Sequence, residues 1–161
     1  MSGLDPKRRR VVVTGMGVVS PLGKDLNSYW QGLVSGRSGI RRITQFDPVD
    51  LPCQIAGEIP DFDPEDYFDR KEARRVPRSS QIALGAAVQA VRDAGLTEIM
   101  PDPERASVVF GTGVGGVDKL VDGISVMREH GFTKVNPFTI PAGIPNTPAF
   151  IIAHRFQCLG P

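Results

Sequence analysis

The hydrophobic pattern of this chain contains two short runs of β-forming residues, each followed at once by glycines. Val11–Val13 leads into Gly15 and Gly17, and Val108–Phe110 leads into Gly111–Gly116. A short apolar run bounded by glycine or proline is typical of a strand buried on both faces of a sheet. The pattern therefore predicts two buried strands. Because ligands of open α/β sheets bind beyond the carboxyl ends of strands, we expect any site near the second glycine-rich turn.

Apolar residues at helical spacing predict four helices, over residues 25–33, 79–94, 117–130 and 149–156. The helix at 79–94 is the clearest, and its apolar stripe is almost all alanine. Small side chains let two backbones approach closely, so we expect this helix to be central and pressed against another layer. Gly95 is placed to end it.

Several side chains receive specific roles from this pattern. Asp25 or Asn27 is predicted to cap the first helix, and Ser79 or Ser80 the second. Trp30 is predicted to lie in the core. The inward side chains of the 117–130 helix are predicted to be Leu120, Ile124 and Met127.

The segments between the helices differ in character. Residues 40–57 are predicted to form short extended pieces, and residues 134–148 a loop whose path is fixed by prolines. Residues 58–69 carry six acidic residues and no basic one, and a basic block follows. The basic block consists of Arg70, Lys71, Arg74, Arg75 and Arg78. The two blocks either neutralise each other at the surface, or the basic block remains free to meet an acidic partner.

Composition places the chain among ordinary soluble α/β domains. It has 161 residues, 40% of them hydrophobic and 23% charged, which suffices for one domain with a core. The net charge of +1 gives no case for nucleic-acid binding. The two cysteines form no CxxC pair, and neither a signal peptide nor an apolar run long enough to span a bilayer is seen, so we expect a cytoplasmic protein with no membrane contact.

No catalytic set stands out from the residues alone. Gly111, Gly113 and Gly116 match the dinucleotide fingerprint, but the acidic residue expected about twenty positions later is missing, which leaves nucleotide binding as a weak alternative. The two histidines, His130 and His154, lack the spacing of a metal site and are predicted to be structural. No metal site is expected.

A series of motifs in order along the chain closely resembles the start of β-ketoacyl-[acyl-carrier-protein] synthases of the elongating, synthase II type. The motifs are Arg9–Gly17, Ser20–Gly23, Trp30–Ile40, Arg70–Glu72, Gly111–Gly116, Asn136–Phe138 and Gly160–Pro161. Together they cover nearly the whole chain, and seven motifs in the right order are much more specific than any one of them.

The resemblance implies a thiolase-like, layered α-β-α fold, of which residues 1–161 would supply most of the first half. It implies condensation of an acyl chain, held on a cysteine, with malonyl-carrier protein, without a metal or organic cofactor. The implied partners are an acyl-carrier protein and either a second copy of the chain or a missing C-terminal half. In the family the nucleophilic cysteine follows the Gly-Pro that here is Gly160–Pro161. We therefore assign no catalytic residue, and Cys158 is not expected to act as one.

The resemblance also implies two groups of site residues. Val114 helps to set the depth of the acyl pocket, with Phe138 and Thr139 contributed across a dimer. The carrier-protein face is formed by Lys71, Arg74, Arg75 and, on its other rim, Lys134. A non-catalytic module that binds a carrier protein or a partner synthase chain is the alternative function.

Overall fold

The computed structural model describes residues 10–96 and 99–161, and these form six α-helices and one small sheet. The helices are α1 (Leu26–Val34), α2 (Arg70–Ala73), α3 (Arg78–Asp93), α4 (Val117–His130), α5 (Thr139–Gly143) and α6 (Thr147–Phe156). The strands are β1 (Arg41–Arg42) and β2 (Ile55–Ala56). Single 3-10 turns lie at Pro64–Asp66, Pro103–Arg105 and Phe132–Lys134.

The core lies where α3 packs on α6. Leu84 and Val88 of α3 are buried together with Ile152 and Phe156 of α6. Pro77 precedes α3 with extended backbone, and Gly95 follows it with a φ of +68°. The start and end of α3 are therefore set by proline and glycine, the second as predicted.

The alanine-rich side of α3 contacts the backbone of the N-terminal segment. A Cβ atom added at Gly17 would lie 2.0 Å from the Ala86 carbonyl oxygen, and one added at Gly15 would lie 2.2 Å from that of Ala90. At these positions only glycine fits, because any side chain would collide with main-chain atoms that cannot move aside. The Asp93 carboxylate accepts a hydrogen bond from the Met16 amide at 2.9 Å. The predicted close approach of this helix to another layer is confirmed.

The two predicted buried strands are wrong for this structure. Val11–Val13 and Val108–Phe110 have no strand hydrogen bonding, and Val109 is 96% exposed. A strand exists only when a neighbour pairs with its backbone, and none of the described residues pairs with either segment. The small sheet lies instead within the predicted extended region 40–57, where β1 and β2 pair antiparallel.

The four predicted helices are confirmed, with small shifts at their ends. Asp25 caps α1 as expected, because its carboxylate accepts a hydrogen bond from the Ser28 amide at 2.9 Å. Trp30 is not in the core: it is 60% exposed, and the buried residue of α1 is Gly32. The helix thus contacts the rest of the chain through a face that has no room for an indole ring.

Other details of the helices differ from expectation. Ser79 and Ser80 do not cap α3, since Pro77 holds that position and both hydroxyls lack a hydrogen-bond partner within the described residues. On α4 the buried position is Gly123, which lies against Thr139. Leu120 is half-buried against Gly143 of α5, whereas the other two predicted inward residues of α4, Ile124 and Met127, are about half exposed.

The proline-rich segment 134–148 is more ordered than a loop. It contains α5, and Pro148 lies in the first turn of α6, where a missing amide hydrogen costs nothing. Of the four consecutive basic residues at positions 7–10, only Arg10 lies within the described residues.

One buried carboxylate organises the connection to the small sheet. The Glu58 oxygens accept hydrogen bonds from the Thr44 hydroxyl at 2.8 Å, the Thr44 amide at 2.9 and 3.1 Å and the Gln45 amide at 3.1 Å. These hydrogen bonds hold the pKa of the Glu58 carboxyl below its usual range, and the bond from the Thr44 hydroxyl has the largest effect.

We predict that Glu58→Gln lowers the urea midpoint of unfolding at pH 7, because an amide nitrogen cannot accept these hydrogen bonds. A lowered pKa stabilises the fold above the unfolded-state pKa of about 4.3, and this contribution disappears as the pH falls through the folded-state pKa. The difference between wild type and variant should therefore shrink on acidification. Glu65→Gln, which removes one exposed ion pair, is the control and should change little. Equal midpoints for wild type and Glu58→Gln at pH 7 would contradict the prediction.

Candidate functional site

Arg70 and Lys71 of the basic block lie on the short helix α2, and Arg74 and Arg75 follow the end of this helix. Asp69 caps this helix by accepting hydrogen bonds from the Lys71 and Glu72 amides, both at 2.8 Å. Ala73 and Val76 turn inward and are buried. The basic side chains of Lys71, Arg74 and Arg75 are turned outward and are exposed.

Arg78 does not belong with them, although it is part of the same basic block. The helix stops at Ala73, and Pro77 forces the backbone out of helical geometry before α3 begins. The Arg78 guanidinium donates to the carbonyl oxygens of Ile59 at 2.9 Å and Phe62 at 3.1 Å, and stacks on the Phe62 ring. Arg78 therefore ties the 58–69 segment to α3 and is unavailable to a partner.

The acidic block largely serves other purposes than neutralising the basic block. Asp61 pairs with Lys24 at 3.2 Å, an interaction that also lowers the pKa of Asp61. Asp63 and Asp69 cap the helical turns that follow them. Among the described residues only one ion pair joins the two blocks, from Arg70 to Glu65 at 3.9 Å between exposed side chains.

A cleft between residues 74–75, α4 and the 134–142 segment gathers most of the predicted site residues. We call it the basic cleft; it has a volume of about 180 Å³. Its walls include Arg74, Arg75, Lys119, Asp122, Lys134, Asn136, Phe138 and Thr139. Lys71 lies on an adjoining surface hollow shared with Arg74, Arg75 and Asn136.

Lys119 is a member of this cleft that sequence reasoning missed. Its Nζ donates to the Arg74 carbonyl oxygen at 3.4 Å, although the two residues are 45 positions apart. On α4, Lys119, Asp122 and Gly123 share the face that turns toward α5. Recognising Gly123 as the contact point would have indicated this face.

An apolar groove of about 480 Å³ lies directly beside the basic cleft. Its lining includes Val76, Pro77, Pro141, Ile144, Phe150 and Ile151. Arg75, Phe138 and Ala142 line both the groove and the cleft. The Arg75 guanidinium carbon lies 5.0 Å from the centre of the Phe138 ring, so the two side chains stack at the boundary.

Val114 lies apart from the other predicted site residues. It is 62% exposed and lines neither the basic cleft nor the apolar groove. Its turn is held against the segment before α6, because the Thr112 hydroxyl donates to the Pro145 carbonyl oxygen at 2.9 Å and Gly115, with a φ of +83°, packs on Pro145. The structure thus brings Phe138 and Thr139 together with the basic residues, but not with Val114.

The nucleophilic and titratable residues are scattered. Cys53 is exposed, whereas Cys158 is half-buried and burial raises the pKa of its thiol. His130 lies 3.8 Å from the Glu129 carboxylate, and His154 packs against the Phe150 ring. No cluster of three His, Cys, Asp or Glu side chains suited to a metal ion occurs in the described part of the chain. None of the helices formed by residues 10–96 and 99–161 has the length and hydropathy needed to span a bilayer.

Comparison with protein families gives a match to the β-ketoacyl synthase N-terminal domain over residues 8–161. Among curated relatives, 3-oxoacyl-[acyl-carrier-protein] synthase 2 of Synechocystis sp. is 40% identical over 155 residues, and that of Coxiella burnetii is 38% identical over 155 residues. Each alignment covers 96% of this chain but only 37% of the relative. The chain therefore spans a little over a third of the length of these relatives.

Solved structures agree with this match. The ishigamide ketosynthase/chain length factor superposes with a TM-score of 0.80 at 33% identity, covering 95% of this chain and 38% of that one. A type II polyketide ketosynthase, solved in complex with its acyl-carrier protein, superposes with a TM-score of 0.75 at 20% identity. The alignment covers 96% of this chain and 41% of the ketosynthase, and at this identity it supports only the likeness of fold. The chain thus belongs to the β-ketoacyl synthase family, has the thiolase-like fold of that family and corresponds to its N-terminal domain.

Proposed function

We propose that this chain is the N-terminal part of a synthase that condenses an acyl chain with malonyl-acyl-carrier protein in fatty acid or polyketide elongation. The family match and the names of the curated relatives support the reaction class. The role of this segment in docking a carrier protein is supported by the basic cleft and its rim. There Lys71, Arg74, Arg75 and Lys134 have no ion pair within the described residues.

The carrier-protein face consists of these four residues. Acyl-carrier proteins are acidic and must dock briefly and then leave. Exposed charges suit that task, because they speed and orient the encounter and add little lasting affinity. The polyketide ketosynthase of similar fold was solved with its own carrier protein, which supports this class of partner.

The acyl pocket draws on Val114, Phe138 and Thr139. Phe138 borders an apolar groove, and the exposed Val114 side chain is free to face a further part of the enzyme. That part is either a second copy in a homodimer or the C-terminal half of the fold. The many exposed large apolar side chains support such a covering. We place the enzyme in the cytoplasm, and no metal or organic cofactor is part of the proposal.

Reversing two charges at the cleft tests carrier docking. Arg74→Glu with Arg75→Glu should lower the association rate of a labelled acyl-carrier protein about tenfold at low salt, because electrostatic steering is lost. Wild-type binding should weaken steeply as salt rises. Stopped-flow fluorescence at low and high salt measures both effects.

The matched control is Arg92→Glu with Arg128→Glu, which makes the same charge change at exposed positions outside the cleft. Its association rate should stay within about twofold of wild type. Equal rates for the two double variants would remove the carrier face from this cleft.

The pocket assignment predicts a change in chain-length preference. In a full-length synthase that carries this segment, Val114→Phe should reduce turnover of long acyl chains more than of short ones, because the larger ring fills space meant for the acyl tail. Val121→Phe, at another exposed valine, is the control. Steady-state kinetics over a series of acyl-carrier substrates gives the profile, and a profile unchanged by Val114→Phe would exclude that residue from the pocket.

Cys158 is predicted not to be the nucleophile. Its half-buried thiol has a raised pKa, so it holds less of the reactive thiolate than an exposed cysteine does. Iodoacetamide at pH 8 should modify Cys53 about tenfold faster than Cys158, as followed by peptide mass spectrometry. A Cys53→Ser variant isolates the Cys158 rate. Transfer of an acyl group from acyl-carrier protein to Cys158, detected by intact mass, would overturn this assignment.

A further inference from the structure

We infer that Phe138 is a positioning residue of the carrier-protein face, where its ring holds Arg75 ready to bind a carboxylate of an acidic carrier protein. This inference rests on the proposed function and adds to it the device that orients one docking side chain. It also gives Phe138 a role distinct from lining the acyl pocket.

The first observation is the isolation of Arg75. Its guanidinium makes no ion pair and no hydrogen bond with any described residue, and it stacks on the Phe138 ring at 5.0 Å. Arg78, three positions later, also stacks on a phenylalanine, but its donors are satisfied by two carbonyl oxygens. The stacked arginine at the cleft therefore differs from the structural one in having free donors.

The second observation is geometric. A guanidinium donates hydrogen bonds within its plane, and stacking on a ring occupies only one of its faces. Arg75 can therefore stay on Phe138 while its edge meets a carboxylate, with two parallel N–H···O bonds. Because a freely rotating arginine must be immobilised on binding, a ring that already orients it lowers the cost of docking.

The third observation is the setting of the stacked pair. Arg75 and Phe138 lie where the basic cleft meets the apolar groove, with Lys134 and Asn136 on the cleft side. Arg74, Lys119 and Lys134 line the cleft together with Arg75, against the carboxylates of Asp122 in the cleft and Glu72 in the groove. The surface is thus complementary to a protein helix that carries several carboxylates.

Loss of the ring should act on dissociation and not on encounter. Phe138→Leu keeps an apolar side chain and every charge, so long-range steering and the salt dependence of the association rate should remain. The dissociation rate of labelled acyl-carrier protein from the chain should rise about three- to tenfold, because Arg75 is no longer oriented. Phe132→Leu is the matched control, since Phe132 is exposed nearby and stacks on no cation among the described residues. Circular dichroism checks that every variant is folded.

A double-mutant cycle makes the test decisive. In an Arg75→Gln background, Phe138→Leu should leave the dissociation rate within about 1.5-fold, because the ring then has nothing to orient. Arg75→Lys should keep the association rate and raise the dissociation rate, since an ammonium lacks the planar fork. Additive effects of Arg75→Gln and Phe138→Leu, with wild-type binding intact, would overturn the inference and leave the proposed function standing. No salt-sensitive binding by the wild-type chain would overturn both.

Discussion

The close packing of α3 is the constraint on which the rest of this structure depends. One side of the helix admits only the glycine backbone of the N-terminal segment, and the other side supplies Leu84 and Val88 to the core with α6. Pro77 fixes where the helix begins, and so where the chain must turn out of α2. This break separates Arg74 and Arg75 from Arg78. In an unbroken helix the three arginines would share one side, whereas here Arg74 and Arg75 are exposed and Arg78 is tied to the 58–69 segment.

Capping explains why the cleft keeps its charge. The acidic segment before the basic block looks, in one dimension, like a neutralising partner. In three dimensions Asp63 and Asp69 each satisfy backbone amides at the start of a helical turn, and Asp61 is held by Lys24. These carboxylates are engaged by nearby amide and ammonium donors, and neither Arg74 nor Arg75 forms an ion pair with a described residue. The local backbone therefore decides the electrostatics of the surface.

The sequence allowed the helices, the Asp25 cap, the Gly95 stop and the family to be predicted, because each rests on local chemistry or on a run of motifs. It misled on Val11–Val13, Val108–Phe110 and Trp30, because hydrophobic patterning assumes that a covering layer is present. Among the described residues Val11–Val13, Val109 and Trp30 have no such cover, whereas Val108 packs against the core without pairing as a strand. Lys119 and the Arg75–Phe138 stack were missed, since each joins segments that only the packing of α4 and α5 brings together.

The unpaired valine segments have a consequence for how this chain behaves at high concentration. Val11–Val13 and Val108–Phe110 combine apolar, β-forming side chains with backbone amides and carbonyls that no described residue engages. Such segments are templates for pairing with another polypeptide, and the net charge of +1 provides little mutual repulsion to prevent it. The colloidal stability of the chain is therefore set less by its helical core than by whether a cognate strand reaches these two segments before an unrelated chain does.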